Sequence, residues 1–113
     1  MKKLIIALVC ALVSLSAVAG GNIARGEKLA KDNNCASCHG AEYNKPIDPS
    51  YPKLAGQHAE YLEHALKTYK RGDGRAGRNN AIMGGVVKPL SNKDMADLAA
   101  YLHSLPSELV LKR

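Results

Sequence analysis

The chain has 113 residues with a formal net charge of +6, and its five tyrosines are not joined by any phenylalanine or tryptophan. The length suits a single domain. The positive excess is too mild to argue for nucleic acid, and no interleaving of aromatic and basic residues supports one.

In chain order, Met1-Lys2-Lys3 is a short basic start, Leu4 to Val13 an unbroken apolar run, and Ala17-Val18-Ala19 a set of small residues. That pattern predicts an export signal over residues 1–19, cleaved after Ala19. The alternative is a retained anchor, although the 16 residues from Leu4 to Ala19 fall short of a span of about 20. Cys10 leaves with the leader, and Leu8-Val9 before it make a poor lipobox. Cleavage leaves 94 residues with a net charge of +4. A domain that small has a thin core and gains from an added staple.

Asn22 is placed to cap a helix over 23–33. Three prolines (Pro46, Pro49, Pro52) make Gly40 to Gly56 an ordered loop. A second helix fits 58–71, where Tyr61, Leu62, Ala65, Leu66 and Tyr69 share one face. Gly72 to Gly85 is Gly-rich and reads as a loop. Ser91 and Asp94 form a capping box ahead of a third helix over 92–104, with Met95, Leu98, Ala99 and Leu102 as its buried stripe. Pro106 marks the stop, so the domain runs over 20–105 and 106–113 is a C-terminal tail. No strand signal stands out. The predicted fold is all-α.

Between the first two helices lies Cys35-Ala36-Ser37-Cys38-His39, the spacing of c-type haem attachment. Two thiols three residues apart on a turn can add to the two vinyl groups of one haem, and the next residue aims an imidazole at the iron. A thioredoxin-like thiol pair would need a preceding strand and a βαβ context. A zinc site would need a second Cys/His cluster. A disulfide closing so tight a loop would be strained. A large buried haem would also supply the apolar centre that a domain without Phe or Trp lacks. The sixth iron position calls for a second ligand. Met95 falls in a helical stripe and reads as core, whereas Met83 sits in the turn Asn79 to Gly85, where packing gives it little purpose; Met83 is the expected distal ligand. His58, His64 and His103 read as surface histidines.

With these pieces in order, the chain resembles the bacterial class I cytochromes c, and within them one half of the type-four dihaem cytochromes in single-haem form. The resemblance spans about residues 22 to 105. It rests on Cys35 to Gly40, on Tyr51-Pro52-Lys53-Leu54-Ala55-Gly56-Gln57, on Tyr69 through Gly72 to Arg75, on Met83, and on Leu98 to Leu102. It implies a three-to-four-helix fold around one covalent haem c, His39 and Met83 as axial ligands, and a Pro52 carbonyl that accepts a hydrogen bond from the His39 ring. The second haem motif of the dihaem proteins is absent. Gly26, in mid-helix, would allow the close crossing of first and last helices found in the family, against Leu98 or Tyr101.

Arg75 and Arg78 are candidates to pair with the haem propionates, with Tyr69 or Tyr51 adding a hydroxyl. Lys67, Lys70, Arg71, Arg75 and Arg78 together make a candidate docking rim for a partner with an acidic face. The expected function is a periplasmic single-electron carrier between redox proteins, not an enzyme. The alternative is a haem subunit held tightly by a dehydrogenase or oxidase. A membrane is reached only through partners or an uncleaved leader. A peroxidase or gas sensor would need an open sixth position, against which Met83 argues.

Overall fold

A computed structural model describes residues 20–107. The expected leader (1–19) and the tail beyond Ser107 lie outside the described residues. Within them the chain is helical without strands: α1 (Ile23–Asp32), α2 (Ala36–His39), α3 (Ala59–Arg71), α4 (Ala81–Val87) and α5 (Asn92–Ser104). No helix among the described residues is long and apolar enough to cross a membrane.

Helices α1 and α5 begin where their side-chain caps dictate. The Asn22 side chain accepts the Arg25 N–H at 2.9 Å to start α1. Ser91 and Asp94 bond reciprocally across the first turn of α5. At its other end α3 stops at Gly72, whose φ of +65° suits a residue without a Cβ.

The expected loop from Gly72 to Gly85 is only partly a loop. Its second half forms α4, because the Asn80 side chain accepts the N–H groups of both Ile82 and Met83 at 3.0 Å. A side-chain cap of that kind offsets the low helix propensity of the adjacent Gly84 and Gly85. Met83 therefore stands on a helical turn, not in a flexible one.

Helix α1 packs mainly on α5, α3 packs on α5, and α4 rests on α3. The core between them holds Leu62, Val87, Leu90, Met95, Leu98, Ala99 and Leu102, joined by Ala30, Tyr43 and Ala55. Met95 is thus a core residue. Tyr43 meets Tyr101 edge-on with ring centroids 6.0 Å apart, and burial raises its phenol pKa to about 12. Pro106 and Ser107 remain packed on the domain: Asn44 donates to the Pro106 carbonyl at 3.2 Å, and Gly56 lies against Ser107. Structural contacts so continue two residues past the expected domain end at 105.

The α1–α5 crossing is close enough to exclude a side chain. A Cβ on Gly26 would lie 2.7 Å from the Tyr101 Cβ and closer still to the Asp97 carbonyl. The expected neighbour Tyr101 is present; the other is the Asp97 backbone, not Leu98. Beside this contact the Asp97 carboxylate, 1 % exposed, accepts the Asn22 N–H at 2.7 Å and the Arg25 guanidinium at 2.5 Å. Lys93 stands 3.5 Å away, and Arg25 also bonds Asp94.

Burial acts to raise the Asp97 pKa, but the bonds from Arg25 and Asn22 outweigh it and hold the group below the ordinary carboxylate value. A carboxyl depressed on folding contributes stability above its unfolded pKa of about 3.9, and loses it as pH falls through the folded value. Asp97→Asn is expected to cost about 2 kcal/mol at neutral pH. Urea denaturation at pH 7 and pH 3 checks this: the gap between variant and parent shrinks at pH 3, and an equal gap at both would contradict it.

Candidate haem-binding site

The motif sits on a tightly folded turn. Cys35 N–H donates to the Ala30 carbonyl at 3.1 Å, so the segment leaves α1 at once. Asn34, at φ +53°, and Gly40, at φ +92°, bracket α2. At Gly40 any Cβ would crowd the Lys45 backbone, and the Cys38 carbonyl accepts from Ile47 N–H at 3.0 Å. The result fixes Cys35, Cys38 and His39 on one wall of a cleft.

That cleft has a cavity of about 250 Å³ and brings together residues from every helix but α1. Cys35, Cys38, His39, Tyr51 and Pro52 form one side. Tyr61, Leu62, Ala65, Leu66 and Tyr69 of α3 form another. Ile82, Met83, Val86 and Val87 of α4 close it, with Leu98 and Leu102 of α5 at the floor.

His39 is buried, and its Nδ1 lies 2.9 Å from the Pro52 carbonyl oxygen. A carbonyl can only accept, so Nδ1 carries the proton and the lone pair resides on Nε2. The Tyr51 ring lies 6.4 Å from the imidazole at 49°. The loop that carries Pro52 is itself anchored. Tyr43 carbonyl accepts from Leu54 and Ala55, Gly56 N–H donates to Leu102 carbonyl, and His103 Nδ1 lies 2.6 Å from the Gln57 carbonyl.

Other sequence candidates fall in different places. Met83 lines the cleft and packs against the core. Arg75 is exposed and does not line it, whereas Arg78 is half-buried and does. The Arg78 guanidinium lies 5.9 Å from the Tyr61 ring centroid and 5.5 Å from that of Tyr69. His58, just ahead of α3, and His64 on it are exposed, and His103 is engaged with Gln57. Of the basic side chains, Lys67 pairs with Glu63 at 3.0 Å and Lys70 with the Leu90 carbonyl. The roles of Tyr61 and Asn80 escaped the sequence reading. The available signals were the eight-residue spacing of Tyr61 and Tyr69 on one helix face and an asparagine two residues ahead of an apolar pair.

The lining suits a haem. Its walls are largely carbon, and the two thiols, an imidazole with a free Nε2 and a thioether face one space. Lys53 and Arg78 are its charged side chains, and no carboxylate lines it, which matches a macrocycle bearing two propionates. Burial pushes the Cys35 thiol upward in pKa, opposite to the activated thiolate of a redox pair. Cys35 and Cys38 are not bonded to each other. Among the described residues no three His, Cys, Asp or Glu side chains gather to hold a metal ion.

An all-α domain folded around an apolar cleft with a Cys-X-X-Cys-His wall defines a class I haem c protein. Residues 23–106 match the Cytochrome c family, and the chain belongs to it. It is 43% identical over 84 residues to cytochrome c-554(548) of Halomonas halodenitrificans, covering 74% of this chain and 96% of that protein. It is 41% identical over 105 residues to cytochrome c4 of Pseudomonas aeruginosa, covering 92% of this chain but 49% of that one. Over 72 residues it is 39% identical to the thiosulfate dehydrogenase electron acceptor of Thiomonas intermedia, covering 64% of this chain and 31% of that protein. The chain thus spans nearly all of a c-554 and about half of a c4. Its cofactor is haem c, held covalently through Cys35 and Cys38.

Proposed function

We propose that this chain is a periplasmic monohaem cytochrome that carries single electrons between redox proteins, with His39 and Met83 as axial ligands of the iron. The observation that carries the reading is the placement of His39 and Met83, from separate segments, in one apolar cleft beside both cysteines. The haem supplies the one-electron couple. Cys35 and Cys38 fix its position, and the Pro52 carbonyl fixes the His39 tautomer and ring plane while raising its basicity. The carbon walls from α3, α4 and α5 keep water out and disfavour added charge, and a thioether donor acts in the same direction on the reduction potential. No general base or substrate pocket enters this account.

Export under the 1–19 leader, with a functional domain over 20–105, supplies the compartment. Docking to a partner would use the cleft mouth, where Tyr61 and Ile82 are half exposed or more and Lys53 and Arg78 are the charges. That combination favours a partner presenting carboxylates around an apolar patch, and Arg75 extends the positive rim. The second reading is a haem subunit held by a partner dehydrogenase, favoured by the likeness to an electron acceptor of thiosulfate dehydrogenase.

Met83→Ala tests the ligand assignment. The variant is expected to lose the weak far-red band of thioether-ligated ferric haem and, once reduced, to bind carbon monoxide. An unchanged spectrum without carbon monoxide binding would remove Met83 from the iron.

A further inference from the structure

Val87 is the buried anchor of α4, a full turn beyond Met83. Met83 packs only at the edge of the core, and the turn that bears it is fastened further by polar contacts from the segment before it. Arg78 N–H donates to the Thr68 carbonyl at 2.9 Å, pinning the end of the 72–80 loop to α3. The same residue lays its guanidinium against Tyr61 and Tyr69, two rings that stand two turns apart on α3. The Tyr61 phenol first, and then that of Tyr69, act to raise the Arg78 pKa. Two residues later the Asn80 side chain receives the N–H groups of Ile82 and Met83. The rest of the loop is held lightly: Arg71 donates to the Ala76 carbonyl at 3.4 Å, Gly72 N–H and Gly77 N–H close local turns, and a Cβ on Gly74 would meet nothing within 4 Å.

We infer that Arg78, clamped between Tyr61 and Tyr69, is a positioning residue that keeps Met83 in the cleft and so sets how often the sixth iron position opens. The inference rests on Met83 being that ligand. A guanidinium over two aromatic faces is worth more than a single exposed cation–π contact, because both rings are fixed on one helix. Lysine cannot reproduce the planar contact with two rings. Loss of the clamp leaves the Asn80 cap and the main-chain bond from Arg78 to Thr68, so α4 persists while its first turn is held less tightly against α3. An external ligand then binds in proportion to the open fraction.

The test uses ferric holoprotein and imidazole as probe, with the far-red band as a second readout. Arg78→Ala is expected to weaken the band and to raise the apparent imidazole affinity about tenfold, the effect of ~1.4 kcal/mol on the opening equilibrium. Arg78→Lys should fall between variant and parent. The double change Tyr61→Phe with Tyr69→Phe keeps both rings and should give a smaller increase. Met83→Ala, run alongside, sets the fully open limit. If it abolishes the band while Arg78→Ala keeps both the parental band and the parental imidazole affinity, the clamp is refuted, even where melting temperature falls. If Met83→Ala itself keeps the band, the ligand assignment fails instead. Should Arg78→Ala not fold, the lysine variant and the double phenylalanine variant decide the matter on the same readouts.

Discussion

Replacing Cys35 and Cys38 together with alanine should leave a chain that holds no covalent haem and does not fold cooperatively at room temperature. The reason is volumetric. The cleft is a cavity of about 250 Å³ with largely apolar walls. At ~24 cal/mol per Å³, walls left uncovered would cost about 6 kcal/mol, comparable to the whole stability of an ordinary domain, about 5–15 kcal/mol. With no Phe or Trp in the chain, few bulky carbon side chains are in reserve to fill it, and Leu62, Val87, Leu98 and Leu102 would lose their common neighbour. Far-UV circular dichroism and denaturant titration of the variant read this directly. A colourless protein with native helicity and a sharp unfolding transition would show that the polypeptide core suffices alone.

The second large effect is expected at Gly26, and its sign is the informative part. In an exposed helix interior, Gly→Ala stabilises by about 1 kcal/mol through backbone entropy. Here the added methyl would overlap the Asp97 carbonyl and press on the Tyr101 Cβ. Because backbone sits on one side of the contact, α1 must move away from α5. That shift would stretch the Asn22–Asp97 and Arg25–Asp97 bonds that flank the crossing. Gly26→Ala should therefore destabilise, by about 2–3 kcal/mol, and Gly26→Val by more. The midpoint of chemical denaturation of the holoprotein checks it. A Gly26→Ala variant more stable than the parent would mean that the two helices do not meet at this point.

Both effects involve residues that the sequence made visible for different reasons. The haem motif is local: five consecutive residues carry the attachment chemistry, and their spacing excludes most rivals. The boundaries of α1, α3 and α5 were equally readable, since Asn22, the Ser91–Asp94 box and an unbroken apolar face each act within a turn or two. Helix α4 was not readable. Seven residues with two adjacent glycines give no periodicity, and the Asn80 cap that rescues them is one side chain. The crossing at Gly26 was foreseen, but its counterpart Asp97 was not, because a buried carboxylate on α5 looks like any polar residue until Arg25 is brought to it from 72 positions away. Arg75 and Arg78 were indistinguishable along the chain. Only the fold around Gly72 and Gly77 turns Arg78 onto Tyr61 and Tyr69 and leaves Arg75 in solvent.

The most direct measurement of the central claim is the absorption spectrum of the holoprotein, recorded oxidised, reduced, and reduced under carbon monoxide. A closed electron carrier with His39 and Met83 on the iron predicts haem that stays with the chain on denaturation, a weak far-red band in the oxidised form, and no change on adding carbon monoxide. A covalent haem that shifts readily with carbon monoxide would contradict it, placing the sixth position open and the chain among ligand-binding haem proteins.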